Sequence, residues 1–255
     1  MSTDVDFFLV DGVSYAFADG TKVLSGVDWH VPAGAFHCLV GRSGCGKTTL
    51  LKLAAGLLLP TTGQIKIEDQ VVHGPSPKVG FVFQNPALLE WLSVIDNVLL
   101  PISLHRKVLP KDRNTACELL ALVGIADLAG RYPTQLSGGQ QSRAALVRAL
   151  VTSPPALLMD EPFAALDAIT REELQEDLLR LVALRQTTVL FVTHDIAEAV
   201  YLGDRVAIMD QGQIALAASI DMPRPRAADR RYDMEFAAIC QHIRTAMSQR
   251  VGKAA

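Results

Sequence analysis

The octapeptide Gly41-Arg42-Ser43-Gly44-Cys45-Gly46-Lys47-Thr48 limits what this chain can fold into more than any other stretch. It satisfies G-x-x-x-x-G-K-[ST], a loop whose backbone N–H groups surround nucleotide phosphates when a strand precedes it and a helix follows. Both neighbours are present. Phe36 to Val40 (FHCLV) reads as a short buried strand, and Thr49 to Ala55 (TLLKLAA) reads as a helix. The phosphates would then face a helix N-terminus, where unpaired N–H groups and the dipole favour negative charge. Lys47 is expected to reach the β- and γ-phosphates and the Thr48 hydroxyl to ligate Mg²⁺. Gly41, Arg42, Ser43, Gly44, Cys45, Gly46, Lys47 and Thr48, with Thr49 behind them, are the candidate nucleotide-binding set.

A chain of 255 residues, 49% hydrophobic and 20% charged, can bury a sizeable core, as one large domain or a core with a subdomain. A net charge of −3 and the absence of a long Lys/Arg run argue against nucleic acid as the main partner. The start, MSTDVDFFLVDG, lacks the basic and apolar regions of a secretion signal. The longest apolar stretch, Leu50 to Leu59, is broken by Lys52 and Gly56. A cytoplasmic location is expected. The four cysteines, Cys38, Cys45, Cys117 and Cys240, have no metal-ligand spacing and read as thiols, so alkylation of Cys45 would block nucleotide only by bulk.

Residues 7 to 31 carry apolar stretches broken at Asp11-Gly12, Asp19-Gly20 and Pro32-Ala33-Gly34, which predicts short antiparallel strands ahead of the loop. Tyr15 either stacks on an adenine or fills the core. Strands are expected at Gln64 to Ile67 and Lys78 to Phe83, the second ending at Gln84. Gln84 is either a structural strand end or a site residue at a sheet edge. From about 86 to 153 the period becomes helical, notably in Asp112 to Val123 and Gly139 to Thr152, which predicts a helical subdomain inserted in the α/β core.

Leu136-Ser137-Gly138-Gly139-Gln140 introduces the second of those helices. Ser137 is placed as N-cap, and two glycines leave first-turn N–H groups open, which makes a second anion site. The apolar strand Ala156 to Met159 then closes in Asp160 and Glu161. Acids at the end of a strand buried on both faces lie at the sheet's carboxyl edge. Asp160 is expected to hold Mg²⁺ and Glu161 to accept a proton from attacking water. Ala165-Leu166-Asp167 turns into a helix over Ile169 to Arg185. Thr188 to Thr193 is a buried strand ending at His194, which is a surface or core group or a catalytic one. A hairpin across Asp210-Gln211-Gly212 follows, Pro223-Arg224-Pro225-Arg226 breaks the fold, and Tyr232 to Arg250 is the expected terminal helix.

With both anion sites and the paired acids in view, the chain resembles the ATP-binding subunits of ABC transporters along nearly its whole length. Tyr15 matches the A-loop, Gly41 to Thr48 Walker A, Gln84 the Q-loop and Leu136 to Gln140 the LSGGQ signature. Leu157 to Asp160 with Glu161 matches Walker B, Ala165-Leu166-Asp167 the D-loop and His194 the H-loop. Phe81 to Leu104, Asp160 to Arg171 and Arg224-Pro225-Arg226 look like the nitrate, sulfonate and taurine branch of importer ATPases. Glu90-Trp91 stands where that branch has Pro-Trp, Gln140 where it has methionine, and Ser142 where the family often has Gln.

The resemblance implies a P-loop NTPase, RecA-like α/β core with an N-terminal antiparallel β subdomain and an inserted α-helical subdomain. The ATPase domain would span 1–222 and a tail with a helix 223–255. ATP and Mg²⁺ are the implied cofactors. Glu161, His194, Gln84 and Lys47 are implied in catalysis, Ser137, Gly138, Gly139, Gln140 and Asp167 in nucleotide contact, and Thr48, Gln84 and Asp160 in metal binding. It also implies a homodimer, or a pair with a similar subunit, in which the Walker A loop of one copy faces LSGGQ of the other. Permease subunits in the membrane and a periplasmic or extracellular solute-binding protein would complete the system, with this chain on the inner face of the membrane. The apolar segment 86 to 104, with Trp91, is either a docking surface for a membrane subunit or core. A soluble ABC-type ATPase, an importer ATPase for another small solute, a small-molecule kinase or GTPase and a non-catalytic module are the rival readings.

Overall fold

The computed structural model describes residues Asp6 to Val251, which divide into two compact units. One contains the described residues up to Ser76 and those from Thr188 onward; the other is Pro77–Thr187.

The first unit begins with two long antiparallel strands, β1 (Asp6–Ala16) and β2 (Lys22–Pro32). Polar and apolar residues alternate along β2, and so do exposed and buried positions, as in a sheet wet on one side. The turn at Asp19-Gly20 forms as expected, with the Gly20 N–H donating to the Phe17 carbonyl at 2.9 Å. The turn expected at Asp11-Gly12 does not. β1 runs through it as a bulge, in which Gly12 has φ +57° and its N–H donates to Asp28 Oδ1 at 2.7 Å. After β3 (Phe36–Gly41) and α1 (Lys47–Ala54) come β4 (Thr62–Ile67) and β5 (Gln70–Val71), giving a sheet of order β2-β1-β4-β5.

The second unit contains β6 (Val79–Val82), α2 (Val94–Ser103), α3 (Pro110–Leu122), α4 (Gly138–Leu150), β7 (Ala156–Asp160) and α5 (Ala168–Arg185). β6 and β7 are parallel, with Val82 opposite Met159. Residues 86–93 are not helical, contrary to the expected period. They are tied to α2 by Asn97, which has no exposed surface. Its amide nitrogen donates to the Leu89 and Leu92 carbonyls at 3.0 Å and faces that of Ser93 at 3.1 Å, while its oxygen accepts from the Leu89 N–H at 2.7 Å. Trp91 is 74% exposed and so is not core.

The chain then returns to the first unit with β8 (Thr188–Thr193), α6 (Ile196–Leu202), β9 (Arg205–Asp210), β10 (Gln213–Ser219) and α7 (Met234–Val251). β3 lies between β8 and β9 and parallel to both, and β10 closes the edge antiparallel to β9. Every residue of β3, β7 and β8 is buried, which is why these strands read as continuous apolar runs. The Pro223 to Arg226 string belongs to no helix or strand, yet it anchors more than it interrupts. Arg224 donates to Asp204 Oδ1 and the Leu202 carbonyl, both at 2.6 Å, and Arg226 donates to the Tyr201 and Gly203 carbonyls at 2.8 Å. These bonds satisfy the end of α6. Tyr232 ends a 3₁₀ turn, so the terminal helix starts two residues later than expected. Among the described residues no helix is long and apolar enough to cross a membrane.

Two stability tests follow from buried polar groups. Asn97→Ala removes the partner of a buried N–H and of the carbonyls around it, so the variant is expected to lose about 2 kcal/mol. Calorimetry should show its Tm lower by about 4–8 °C. His37 is 4% exposed, its Nδ1 has no hydrogen-bond partner among the described residues, and its ring lies 6.0 Å from that of Trp29. Burial, assisted by Arg205 and opposed by Asp204 and Asp6, lowers its pKa to about 4. The unfolded chain therefore binds a proton that the folded chain refuses. Stability is whole above the ordinary histidine pKa and is lost as pH falls from about 6.5 toward 4, by up to ~3 kcal/mol. Urea titrations across that window should show a shallower loss in His37→Leu than in the parent.

Candidate functional site

In the first unit, β3 delivers the chain into the 41–48 loop and α1 leads it away. Gly41 has no room for a side chain, since a Cβ would lie 2.4 Å from the Met209 carbonyl oxygen and 2.7 Å from Cys45 Sγ. Gly44 and Gly46 hold φ of +79° and +106°, which curl the backbone into a ring. The ring closes on Lys47, whose side chain is 5% exposed and whose Nζ donates to the carbonyls of Gly41 at 2.8 Å and Arg42 at 3.1 Å. Gly46 is the N-cap of α1, with no side-chain cap and no acid in the first turn. A buried ammonium and an uncapped helix start free of carboxylates suit an anion, so this loop fits a nucleotide's phosphates. Burial pushes the Cys45 thiol up, with Lys47 opposing, so the sulfur stays a neutral wall of the ring.

Strand register sets the neighbours of that loop. Val40 lies opposite Thr193, so Gly41 and His194 leave adjacent parallel strands at their carboxyl ends. His194 is exposed, and Asp195 behind it caps α6 through Oδ1, which accepts from Ala197 at 2.8 Å. Tyr15 is half-buried, edge-on to the exposed Phe17 ring at 5.3 Å and 85°, and so is not a core tyrosine. It pairs with Leu24, whose Cδ2 lies where a Cβ on Gly46 would be 2.7 Å away. Leu24 thus brings β2, with Tyr15 paired to it, to the rim of the loop. Arg42 and Ser43 are exposed, and Thr48 and Thr49 half-buried.

In the second unit the same logic gathers the remaining residues. Because Val82 pairs with Met159, Gln84 and the acids Asp160 and Glu161 follow the carboxyl ends of adjacent strands. Gln84 is exposed and Asp160 only 7% so. Glu161 has φ +44°, the left-handed region that a non-glycine residue rarely adopts, and strain of this kind clusters at functional sites. The carboxylate of Asp160, the amide oxygen of Gln84 and, in the first unit, the hydroxyl of Thr48 are hard oxygen donors of the kind Mg²⁺ prefers.

Ser137 caps α4 as expected. Its Oγ accepts from the Gln140 N–H at 3.3 Å, and Gln140 Oε1 accepts from the Ser137 N–H at 2.9 Å. One of the N–H groups expected to be open is thus engaged, and Gln140 is spent on the box. The two glycines beyond it differ. A Cβ on Gly139 would meet Thr170 Cγ2 at 2.5 Å, whereas one on Gly138 would meet nothing within 4 Å. Asp167 accepts from the Thr170 N–H at 3.0 Å, a bond that lowers its pKa, so its carboxylate caps α5. Sequence reasoning missed Arg148, which donates to the Pro86 and Ala87 carbonyls; a lone arginine in the apolar run AALVRALV was its only signal.

Residues 24–164 match the ABC transporter family model. The chain is 47% identical over 206 residues to an aliphatic sulfonates import ATP-binding protein, SsuB, of Pseudomonas putida, covering 81% of this chain and 74% of that one. It is 43% identical to the bicarbonate transport ATP-binding protein CmpC of Synechococcus elongatus, over 84% of this chain and 33% of that longer one. Among solved structures, the dimeric ATP-binding cassette MJ0796 in a post-hydrolysis state with ADP and Pi superposes with a TM-score of 0.75 at 31% identity. The match covers 85% of this chain and all of that one. cbiO1 of Clostridium perfringens, part of the cbiONQ transporter complex, gives 0.76 at 26% identity, covering 91% and 92% of the two chains. A phosphate-binding loop, a strand-end acid pair and a glycine-led second helix, matched in this family across most of the sequence, make the chain an ATP-binding, ATP-hydrolysing member of the ABC transporter family.

Proposed function

We propose that this chain powers a membrane importer for a small anionic solute, and that two copies, or this chain and a similar subunit, share each ATP. The observation that carries the second half is Gly138. Its own fold leaves space around it and asks for no positive φ, which supports a use for the missing side chain outside the chain. A phosphate bound to another copy's Lys47 loop is such a partner, because the start of α4 attracts negative charge. The names of the SsuB and CmpC relatives, with the resemblance to the nitrate, sulfonate and taurine branch, support an anionic cargo. Uptake assays on a strain lacking this chain test that point, with loss of sulfonate uptake expected and loss of bicarbonate uptake favouring the CmpC-like reading.

In this reading Tyr15 stacks on the adenine, and the loop from Gly41 to Thr49 holds the phosphates with Lys47 against the β- and γ-oxygens. Thr48, Asp160 and Gln84 would hold Mg²⁺, which when bound offsets phosphate charge. Glu161 takes a proton from the attacking water as its oxygen bonds to the γ-phosphorus and the bond to the ADP oxygen breaks. His194 orients the γ-phosphate. Ser137, Gly138, Gly139 and Gln140 of the second copy contact the same phosphate, with Asp167 at that junction, so ATP joins the copies and hydrolysis releases them. Exposed Trp91 and Leu104 support segment 86 to 104 as the surface for permease subunits, with this chain on the inner face of the membrane and a solute-binding protein outside.

Glu161→Gln is expected to keep ATP affinity while turnover drops by about 10²- to 10⁴-fold. Near-normal phosphate release would remove Glu161 from its role. Ser137→Ala, placed in a Glu161→Gln background, should bind ATP as a single chain with unchanged affinity yet fail to dimerise with it in light scattering. Equal dimer formation would contradict the shared pocket.

A further inference from the structure

Arg148 lies near the end of α4, the helix that Ser137 begins, and its guanidinium fork leaves the helix for the loop after Gln84. Nη2 donates to the Pro86 carbonyl and Nη1 to the Ala87 carbonyl, both at 2.7 Å. Two adjacent carbonyls taken by one planar fork fix a backbone's orientation as well as its distance, which a lysine's point charge does not do. The gripped segment is not one that would hold this shape unaided. Ala87 has φ +48°, a conformation alanine rarely adopts. Pro86 also lines a largely apolar gap with Val82, Phe83, Leu146 and Phe163, where the Ser142 hydroxyl is the one side-chain donor of the lining. Burial of the guanidinium lowers the pKa of Arg148 from its ordinary value, as it would for a cation moved out of water to serve two uncharged acceptors.

A helix is a stiff rod, and this one joins Ser137 at one end to the Gln84 loop near the other. We infer that Arg148 is a positioning residue that couples the nucleotide-facing start of α4 to Gln84, holding the 84–87 backbone where the Gln84 side chain can serve hydrolysis. This rests on the proposed roles of Ser137 and Gln84. A change in the tilt of α4 is then delivered to Pro86 and Ala87 through two bonds, and a shift of that backbone changes the aim of Gln84 two residues earlier. Arg148 is assigned this role through the backbone it holds, not through contact with the reacting atoms.

The test is a double-mutant cycle on the full chain, reading ATP hydrolysis and ATP affinity separately. Arg148→Met keeps length and apolar stem and removes the donors. It is expected to lower kcat by about tenfold or more, in line with losing the orientation of one catalytic group, while KM for ATP stays within about twofold. Gln84→Ala should lower kcat too, and adding Arg148→Met to it should cost little more, because the arginine acts through the glutamine. Multiplicative losses in the double variant, or an unchanged kcat in Arg148→Met, overturn the proposal. Arg148→Lys, which keeps the charge, should recover only part of kcat and should show faster amide exchange confined to the segment from Gln84 to Leu89. It decides the matter if the methionine variant does not fold, since exchange equal to that of the parent rejects the grip. Should the unmodified chain hydrolyse no ATP, the ATPase assignment falls and this inference with it, a result distinct from an active parent with additive losses.

Discussion

A buried ammonium demands oxygen, and much of the first unit meets that demand. Lys47 is almost wholly removed from water, where an unpaired charge is costly, and the carbonyls of Gly41 and Arg42 receive it. Those carbonyls can turn inward only because Gly44 and Gly46 adopt backbone angles closed to most residues, and because Gly41 presses on the backbone of β9 at Met209. The loop is therefore rigid before nucleotide arrives, held by β3 between two parallel strands, and its donors need little rearrangement to accept an anion.

The second helix start is organised differently. At Ser137 the first turn is closed by a reciprocal capping box, and Gly139 is needed simply to let α4 lie against Thr170 of α5. Thr170 also donates to Asp167, so the signature turn and the D-loop form one packed corner within their unit. A lone helix start of this kind is a modest attractor for phosphate, in contrast to the cation-lined ring around Lys47. That difference in strength fits the role proposed for this second site, a contact released after hydrolysis.

Legibility followed the range of the forces involved. β3, β7 and β8 were readable because burial on both faces writes an unbroken apolar run, and the residues at their carboxyl ends could be named from that pattern alone. The cap at Ser137 rests on bonds within three residues, the scale on which sequence speaks clearly. Failures came where a local signal has two physical outcomes. Asp11-Gly12 has the composition of a turn, but the carboxylate of Asp28 across the sheet stabilises a bulge instead. Asn97 and Arg148 were invisible for another reason: their partners are main-chain carbonyls, which every residue has, so nothing in the pattern marks them. In the Pro-Arg-Pro-Arg string the prolines predicted disruption, while the arginines close the end of α6.

The first unit is assembled from two separated pieces of chain, and during translation this imposes a wait. β3 and its loop leave the ribosome early, yet neither flanking strand exists until Thr188 and the residues after it have been made. Meanwhile Pro77–Thr187, a continuous stretch with its own helices and strand pair, can collapse on its own contacts. The nascent polypeptide must therefore carry β3 without its parallel neighbours through most of its synthesis, and the phosphate loop gains its frame only when the final stretch of the chain arrives.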